Sequence, residues 1–159
     1  MKKITQARLK NIALYYLERY EASTQKLRDV LKRRLTKARL EQPVPPEANT
    51  WIETVIEEMV RLGYVNDKRF AENTVRRLSG AGKSRSFIRT KLKLAGIEEE
   101  EIMEALSDTD ELAAARLMVQ KKHLGGDFKR DLARLARAGF SYEIAREALE
   151  EVCTPQEEF

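Results

Sequence analysis

The chain has 159 residues, of which 42% are hydrophobic and 35% are charged, and its formal net charge at pH 7 is +4. This balance excludes a disordered chain, and a single cysteine excludes an internal disulfide bond. No apolar run reaches the roughly 18 residues that a membrane-spanning helix needs. The first residues also lack the long apolar segment of a signal peptide, so we expect a cytoplasmic protein without a membrane partner.

Apolar residues recur along the chain with the 3.6-residue period of amphipathic helices, and no strand is predicted. In the first part of the chain, one such stripe covers residues 9–20 and another covers residues 52–59. Between them, the segment 41–49 contains three prolines, which interrupt any helix and predict a surface loop. The sequence therefore starts with helices on both sides of a proline-rich loop.

The next part of the chain contains Gly-Lys-Ser at residues 82–84, which is how a phosphate-binding loop ends. That loop has a second glycine five residues before the last one, and here that position is Arg77. The residues before it have helical spacing, whereas a phosphate-binding loop follows a buried strand. We therefore exclude an NTPase and predict a helix end, with Gly80 and Gly82 in left-handed conformations and Ser84 capping the next helix.

Internal repetition marks the rest of the chain. The segments 91–106 and 134–149 share Ala-Gly, an apolar residue, six further residues and Glu-Ala-Leu, at a constant offset of 43 residues. A weaker copy begins at Ser23, which matches Ser84 at an offset of 61 residues. Three unrelated helical hairpins with chance similarity are the alternative interpretation.

From this repetition we predict an all-α fold of nine helices. Three tandem three-helix repeats, 1–65, 66–107 and 108–159, would stack into an elongated, curved array, because one such repeat buries too little surface to be stable alone. Polar residues that precede the apolar stripes are expected to cap the helices. The predicted caps are Ser23, Asn66, Ser84, Asp108 or Asp110, and Ser141.

Basic residues concentrate in the second helix of each repeat, and acidic residues in the third. Residues 83–95 contain five basic side chains and no acidic one, and residues 23–39 contain seven and one. Stacking would align these helices into a basic strip that suits nucleic acid or an acidic protein groove. An ordinary solvated face is the alternative. The predicted docking residues are Lys83, Arg85, Arg89, Lys91 and Lys93, aided by Arg28, Lys32 and Arg33.

No combination of residues suggests catalysis. One histidine and one cysteine cannot form a zinc site of these two residue types, and they give no nucleophile–base pair. The acidic run 98–101 lies at a helix start, where the helix dipole favours carboxylates. We predict no catalytic residue, no bound metal and no cofactor, and therefore a binding protein rather than an enzyme.

Residues 62–77, LGYVNDKRFAENTVRR, resemble the central motif of the RecX family, regulators of the RecA recombinase. The similarity continues through the glycines that follow and covers essentially the whole chain. Two features depart from the family pattern: Lys26 stands where a glutamate is usual, and the loop at 41–49 resembles an insertion. The motif residues, which we expect to be mainly structural, are Gly63, Tyr64, Asp67, Arg69 and Phe70.

Elementary stereochemistry gives these motif residues plausible roles without the family. Gly63 can end a helix, and Tyr64 and Val65 are expected to pack at the joint. Asn66 or Asp67 would then cap the helix that carries Phe70. We therefore expect that mutation of Gly63 or Phe70 damages folding rather than a contact with a partner.

The resemblance implies a non-enzymatic modulator that binds RecA filaments on single-stranded DNA and inhibits strand exchange, ATP turnover and coprotease activity. Such a protein acts in homologous recombination, DNA repair and the SOS response. It would lie in the helical groove of the filament and contact several RecA subunits, so that modest contacts add up. We expect a monomer that binds bare DNA weakly. The alternatives are a basic helical-repeat protein that binds DNA without a recombinase, and an adaptor for an acidic protein.

Overall fold

The computed structural model describes residues 2–153, and every regular element in this range is a helix. The prediction of an all-α fold is therefore confirmed. The loop between α2 and α3 covers residues 42–47 and is shorter than the predicted 41–49. The helices are α1 (Gln6–Leu17), α2 (Thr24–Glu41), α3 (Ala48–Arg61), α4 (Asp67–Ser79), α5 (Arg85–Leu94), α6 (Glu99–Leu106), α7 (Glu111–Lys121), α8 (Phe128–Arg137) and α9 (Tyr142–Cys153).

The chain divides into two compact units. Unit 1 is Met1–Phe70 with Ala95–Ile97, and unit 2 is Ala71–Leu94 with Glu98–Phe159. The boundaries of the three predicted repeats, after residues 65 and 107, stay a prediction. Residues 154–159 of the predicted third repeat lie outside the described residues.

The core of unit 1 is built from the apolar stripes of α1, α2 and α3. Leucines at four-residue intervals line α2, and Leu27, Leu31 and Leu35 are at most 1% exposed. They pack with Leu9 of α1 and with an α3 stripe that includes Met59. Burial of each such side chain contributes about 1.5–3 kcal/mol, which is why the helical period of the sequence decides this packing.

The core of unit 2 contains small residues as well as large ones. Ala115 of α7 and Ala145 of α9 are fully buried, so these helices can approach closely where they pack with Leu135 and Leu149. The carboxylate of Asp131 is also buried, and it accepts a hydrogen bond of 2.7 Å from the Gly125 N–H. This bond holds the loop before α8 and satisfies a polar group that would be costly to bury alone.

The helix starts follow the predicted capping chemistry. The side chains of Ser23, Ser84, Asp110 and Ser141 each accept a hydrogen bond from a backbone N–H in the first turn of the helix that follows. Asn66 does the same for α4 through the Arg69 N–H at 3.0 Å. Two further caps were not predicted, namely Thr5 for α1 and Asp127 for α8.

Two of these serines also form a junction that recurs in the two units. The Ser23 hydroxyl donates a hydrogen bond of 2.6 Å to the Ala95 carbonyl in unit 1. The Ser84 hydroxyl donates one of 2.7 Å to the Ala138 carbonyl in unit 2. Each carbonyl belongs to the Ala-Gly pair that the sequence repeats. The repeated sequence therefore corresponds to one repeated contact. In each copy, the serine that caps one helix also donates a hydrogen bond to a backbone carbonyl at the end of another helix.

Replacement of Ser84 by alanine is expected to lower the free energy of unfolding by about 2 kcal/mol. The variant loses the cap of α5 and leaves the Ala138 carbonyl without its donor. Urea unfolding followed by circular dichroism measures this loss. Ser86→Ala is the matched control, because Ser86 is an exposed residue of the same helix, and equal stability of the two variants would contradict the proposed role of the junction.

Two local predictions are wrong. Gly80 does not adopt a left-handed conformation, because its N–H donates to the Arg76 carbonyl at 3.1 Å and so follows the helical pattern. Of these two glycines, Gly82 is the one with a positive φ, 82°. Tyr64 does not pack at the joint after α3, since its side chain is 53% exposed. Val65, at 1% exposure, fills that position alone.

Candidate functional site

Helix α5 carries most of the predicted docking residues and turns only a narrow stripe toward the core. Ile88 and Leu92, four residues apart, are fully buried. All five predicted cations of this region are exposed. Together with Phe87, these cations form two rows, because residues four positions apart lie on the same side of a helix. The first row is Arg85, Arg89 and Lys93, and the second row is Lys83, Phe87 and Lys91.

The first row contacts groups within unit 2. The Arg85 guanidinium donates hydrogen bonds to the Thr109 carbonyl at 2.6 Å and to the Thr109 hydroxyl at 3.1 Å. Arg89 and Lys93 share Glu99, at 2.5 and 3.5 Å. The side chains of Arg89, Lys93 and Glu99 are 42–53% exposed, and ion pairs so exposed contribute about 0–1 kcal/mol. The pairs can therefore be exchanged for contacts with a partner at little cost.

The second row combines two lysines with an aromatic ring. The ammonium groups of Lys83 and Lys91 lie 5.0 and 5.5 Å from the centre of the Phe87 ring, within the range of cation–π attraction. Within the described range 2–153, neither lysine forms a salt bridge with a carboxylate. Among the described residues, their charges are therefore not neutralised by an ion pair.

Gly82 brings this row to the C-terminal end of α7. Its φ of 82° is in the left-handed region, and a Cβ at this position would lie 3.2 Å from the Met118 backbone nitrogen. Glycine therefore permits both the turn and the close approach. The result is a cleft of about 260 Å³, which we call the lysine cleft. Its lining includes Lys83, Phe87, Met118, Lys121, Lys122 and Arg137.

Sequence reasoning did not place Lys121 and Lys122 in the site. They are adjacent, exposed and lie at the end of α7, separated by one residue from its buried Met118 and Val119. A lysine pair at the C-terminus of a predicted helix was the available signal. It was not decisive, because cations are common at this position, where they complement the helix dipole.

The three predicted docking residues of unit 1 have different environments. The Arg28 guanidinium donates two hydrogen bonds, of 2.7 and 3.1 Å, to the Glu53 carboxylate, and this bidentate contact joins α2 to α3. This hydrogen bonding raises the pKa of Arg28 and lowers the pKa of Glu53 relative to their usual values. Lys32 and Arg33 are exposed. Arg28 thus has a contact with another helix, whereas Arg33 donates a long hydrogen bond of 3.4 Å to the Asp29 carbonyl of its own helix.

The family motif lies in unit 1, where the end of α3 and the first turn of α4 meet the start of α2. Gly63 ends α3 with a φ of 80°, and its carbonyl accepts a hydrogen bond from the Arg69 guanidinium at 3.2 Å. The Asp67 carboxylate accepts one of 2.7 Å from the Thr24 N–H, so it supports the start of α2 rather than its own helix. Phe70 is 7% exposed. These contacts favour the mainly structural role expected of the motif, which stays a prediction.

Lys26, one of the two departures from the family pattern, contacts this joint. Its ammonium group lies 5.2 Å from the centre of the Phe70 ring, again within cation–π range. The substitution for glutamate is consequently accommodated by a contact with the most deeply buried aromatic residue of the motif. A carboxylate at the same place would be repelled by the electron-rich face of the ring.

The described part of the chain shows neither a metal cluster nor a membrane span. Among residues 2–153, no three histidine, cysteine, aspartate or glutamate side chains form a group that could hold a metal ion. In the same range, no helix is long and apolar enough to cross a membrane.

The arrangement of Lys83 and Lys91 around the Phe87 ring is suited to the binding of anionic groups.

Comparisons with known proteins agree on one family. The family model described as RecX, second three-helix domain, matches residues 66–106. The chain is 35% identical to the regulatory protein RecX of Myxococcus xanthus, over 94% of this chain and 88% of that protein. It is 29% identical to the regulatory protein RecX of Agrobacterium fabrum, over 88% of this chain and 80% of that protein.

A solved structure supports the same fold. The crystal structure of RecX from Lactobacillus salivarius superimposes with a TM-score of 0.72 over 92% of this chain and 96% of that one. At 22% identity, this likeness shows the fold alone. The fold of three-helix repeats predicted from the sequence is therefore confirmed, and the identity to the Myxococcus protein adds the family. The chain belongs to the RecX family of regulatory proteins.

Proposed function

We propose that this protein docks in the groove of RecA filaments on single-stranded DNA and inhibits strand exchange, ATP hydrolysis and coprotease activity. It acts as a cytoplasmic monomer and without chemistry of its own. Family membership supports a regulatory role. The observation that carries the docking proposal is the set of five exposed cations around α5, of which Lys83 and Lys91 form no internal ion pair in the described range.

The electrostatics favour a polyanionic partner for this surface. Exposed lysines and arginines attract phosphates and carboxylates at long range and release counterions when they bind. Glu99 neutralises part of the first row only weakly, so Arg89 and Lys93 are available as well. In unit 1, Lys32 and Arg33 are the stronger docking candidates, because Arg28 would have to give up its paired contact with Glu53.

Titration of this protein into a RecA reaction tests the proposal directly. We expect that ATP hydrolysis by RecA on single-stranded DNA falls as the protein is added, and that electron microscopy locates the protein on the filaments. An unrelated ATPase that depends on single-stranded DNA is the control, and its rate should not change. Undiminished hydrolysis at a concentration equal to that of RecA would contradict the proposal.

Direct DNA binding without a recombinase is the second candidate, and the lysine cleft favours it. The cleft brings together four cations, Lys83, Lys121, Lys122 and Arg137. For a protein that acts on bare DNA, the logarithm of the binding constant falls with the logarithm of salt concentration by about 0.7 per contacted phosphate of a single strand. A steep dependence of this kind, with no effect on RecA, would select this candidate over the first.

A further inference from the structure

A second basic pocket lies in unit 1 and shares no residue with the docking surface described above. Its volume is about 620 Å³. Three parts of the chain form it: the segment before α1, one side of α1, and Arg34 of α2. The residues that matter for its chemistry are Lys2, Lys3, Arg8, Asn11, Tyr15 and Arg34.

The charge of this pocket is entirely positive. Four of the residues that line it are cations, and no aspartate or glutamate is among the described lining residues. The segment that carries the two lysines is held in place, because Ile4 is 3% exposed and the Gln42 side chain donates a hydrogen bond of 3.2 Å to the Lys2 carbonyl. The cations are therefore brought together by the fold and are not merely neighbours in sequence.

One of these cations has an incomplete set of hydrogen bonds. The Nη1 atom of Arg8 is buried and finds no acceptor among residues 2–153. A buried polar atom without a partner costs about 1–3 kcal/mol, and more when the group is charged. Such an atom is rare in native structures, and an anionic group that reached it would supply the acceptor. Guanidinium groups are well suited to this, since they bind phosphate through two parallel hydrogen bonds.

The pocket also offers an aromatic surface beside the cations. Tyr15 is 62% exposed although it is a large aromatic residue. The Arg19 guanidinium lies 3.8 Å from the centre of its ring and covers one face. Stacking of a base on an exposed aromatic side chain of this kind contributes about 1–3 kcal/mol.

From these observations we propose that the unit 1 pocket binds a nucleoside phosphate, with the phosphate between Arg8 and Arg34 and the base against Tyr15. The lysines before α1 complete the neutralisation of the phosphate. The same chemistry is present in a free nucleotide and in each nucleotide of a single strand. The inference does not depend on a recombinase, so it can fail or succeed independently of the function proposed above.

Binding measurements with the protein alone test this proposal. The probes are inorganic phosphate, adenosine 5′-monophosphate and an oligothymidylate, followed by isothermal titration and by the shift in melting temperature. We expect the mononucleotide to bind more tightly than inorganic phosphate and to raise the melting temperature. Tighter binding of the oligothymidylate than of the mononucleotide assigns the site to a single strand, and the reverse order assigns it to a free nucleotide.

The variant Arg8→Met separates a ligand-binding role from a structural one. It removes the unpartnered nitrogen, so its melting temperature without ligand should equal or exceed that of the unchanged protein, while its affinity for the nucleotide falls about tenfold or more. Arg34→Met should weaken binding similarly. Lys37→Met is the matched control, because it removes one exposed charge of α2 outside the pocket and should leave binding intact.

Several results would overturn the proposal. Absence of binding by all three probes would remove the site, as would unchanged nucleotide affinity in Arg8→Met. A lower melting temperature of that variant with unchanged affinity would assign Arg8 a structural role. Equal affinities for phosphate and nucleotide would remove Tyr15 from the site. If polyglutamate, an acidic peptide, binds whereas none of the three phosphate probes does, the pocket binds carboxylates and the proposal is wrong.

Discussion

Reversal of three lysine charges in α5 and the turn before it is expected to abolish inhibition of RecA. The variant Lys83→Glu, Lys91→Glu, Lys93→Glu changes the local charge by six units in a segment, 83–95, that contains no acidic residue of its own. Repulsion then replaces attraction to the filament, and we expect at least a hundredfold more protein for half-maximal inhibition, which corresponds to about 3 kcal/mol. The measurement is RecA ATP hydrolysis on single-stranded DNA as the variant is titrated.

These three positions were chosen because the fold depends little on them. The ammonium groups of Lys83 and Lys91 lie near the ring of Phe87, and Lys93 lies 3.5 Å from Glu99, which retains Arg89 as a closer partner. Far-ultraviolet circular dichroism should therefore be unchanged. Inhibition of normal strength by this folded variant would remove the α5 surface from the proposed docking site.

A matched control variant separates surface position from total charge. Lys37→Glu, Arg61→Glu and Lys129→Glu also change the charge by six units, at exposed positions outside the predicted docking set. If docking depends on the α5 surface, this control inhibits RecA nearly as well as the unchanged protein. Equal loss in both variants would indicate that only net charge matters.

The helices and most of their ends could be predicted because their determinants are local. The stripe at Leu27, Leu31 and Leu35 needs only a count of residues, and burial then follows from the period. A cap such as Ser23 or Ser141 bonds to an N–H three residues away. Such patterns are contained in a short window of sequence, so no knowledge of the tertiary fold is needed.

The partners of charged residues could not be predicted because they are distant in sequence. Asp67 was the alternative to Asn66 as the cap of α4, yet it binds the N–H of Thr24, 43 residues away. Arg28 was predicted as a docking residue without knowledge that Glu53 holds it. In the same way, the lysine cleft exists because Gly82 lets one segment approach α7. These contacts depend on how helices pack, which the residue pattern does not specify.

The Ala-Gly pairs of the repeat lead to the prediction with the largest effect on stability. Gly139 has a φ of 98°, and a Cβ at this position would lie 2.5 Å from the Ser84 hydroxyl oxygen and 3.1 Å from the Ser86 Cβ. Gly139→Ala therefore combines left-handed strain, about 1–2 kcal/mol, with overpacking, about 1–3 kcal/mol. We expect the free energy of unfolding to fall by about 3 kcal/mol, measured by urea unfolding.

Two other glycines allow these two costs to be separated. Gly63 has a φ of 80° but open space around its Cβ position, so Gly63→Ala should cost only the strain, about 1–2 kcal/mol. Gly126 has neither a positive φ nor a neighbour within 4 Å, so Gly126→Ala should change stability by less than about 1 kcal/mol. If Gly139→Ala costs no more than Gly63→Ala, close contact with Ser84 does not constrain the repeat. The order Gly139, Gly63, Gly126 would instead show that glycine is required at position 139 because the cap of α5 occupies the space of its missing side chain.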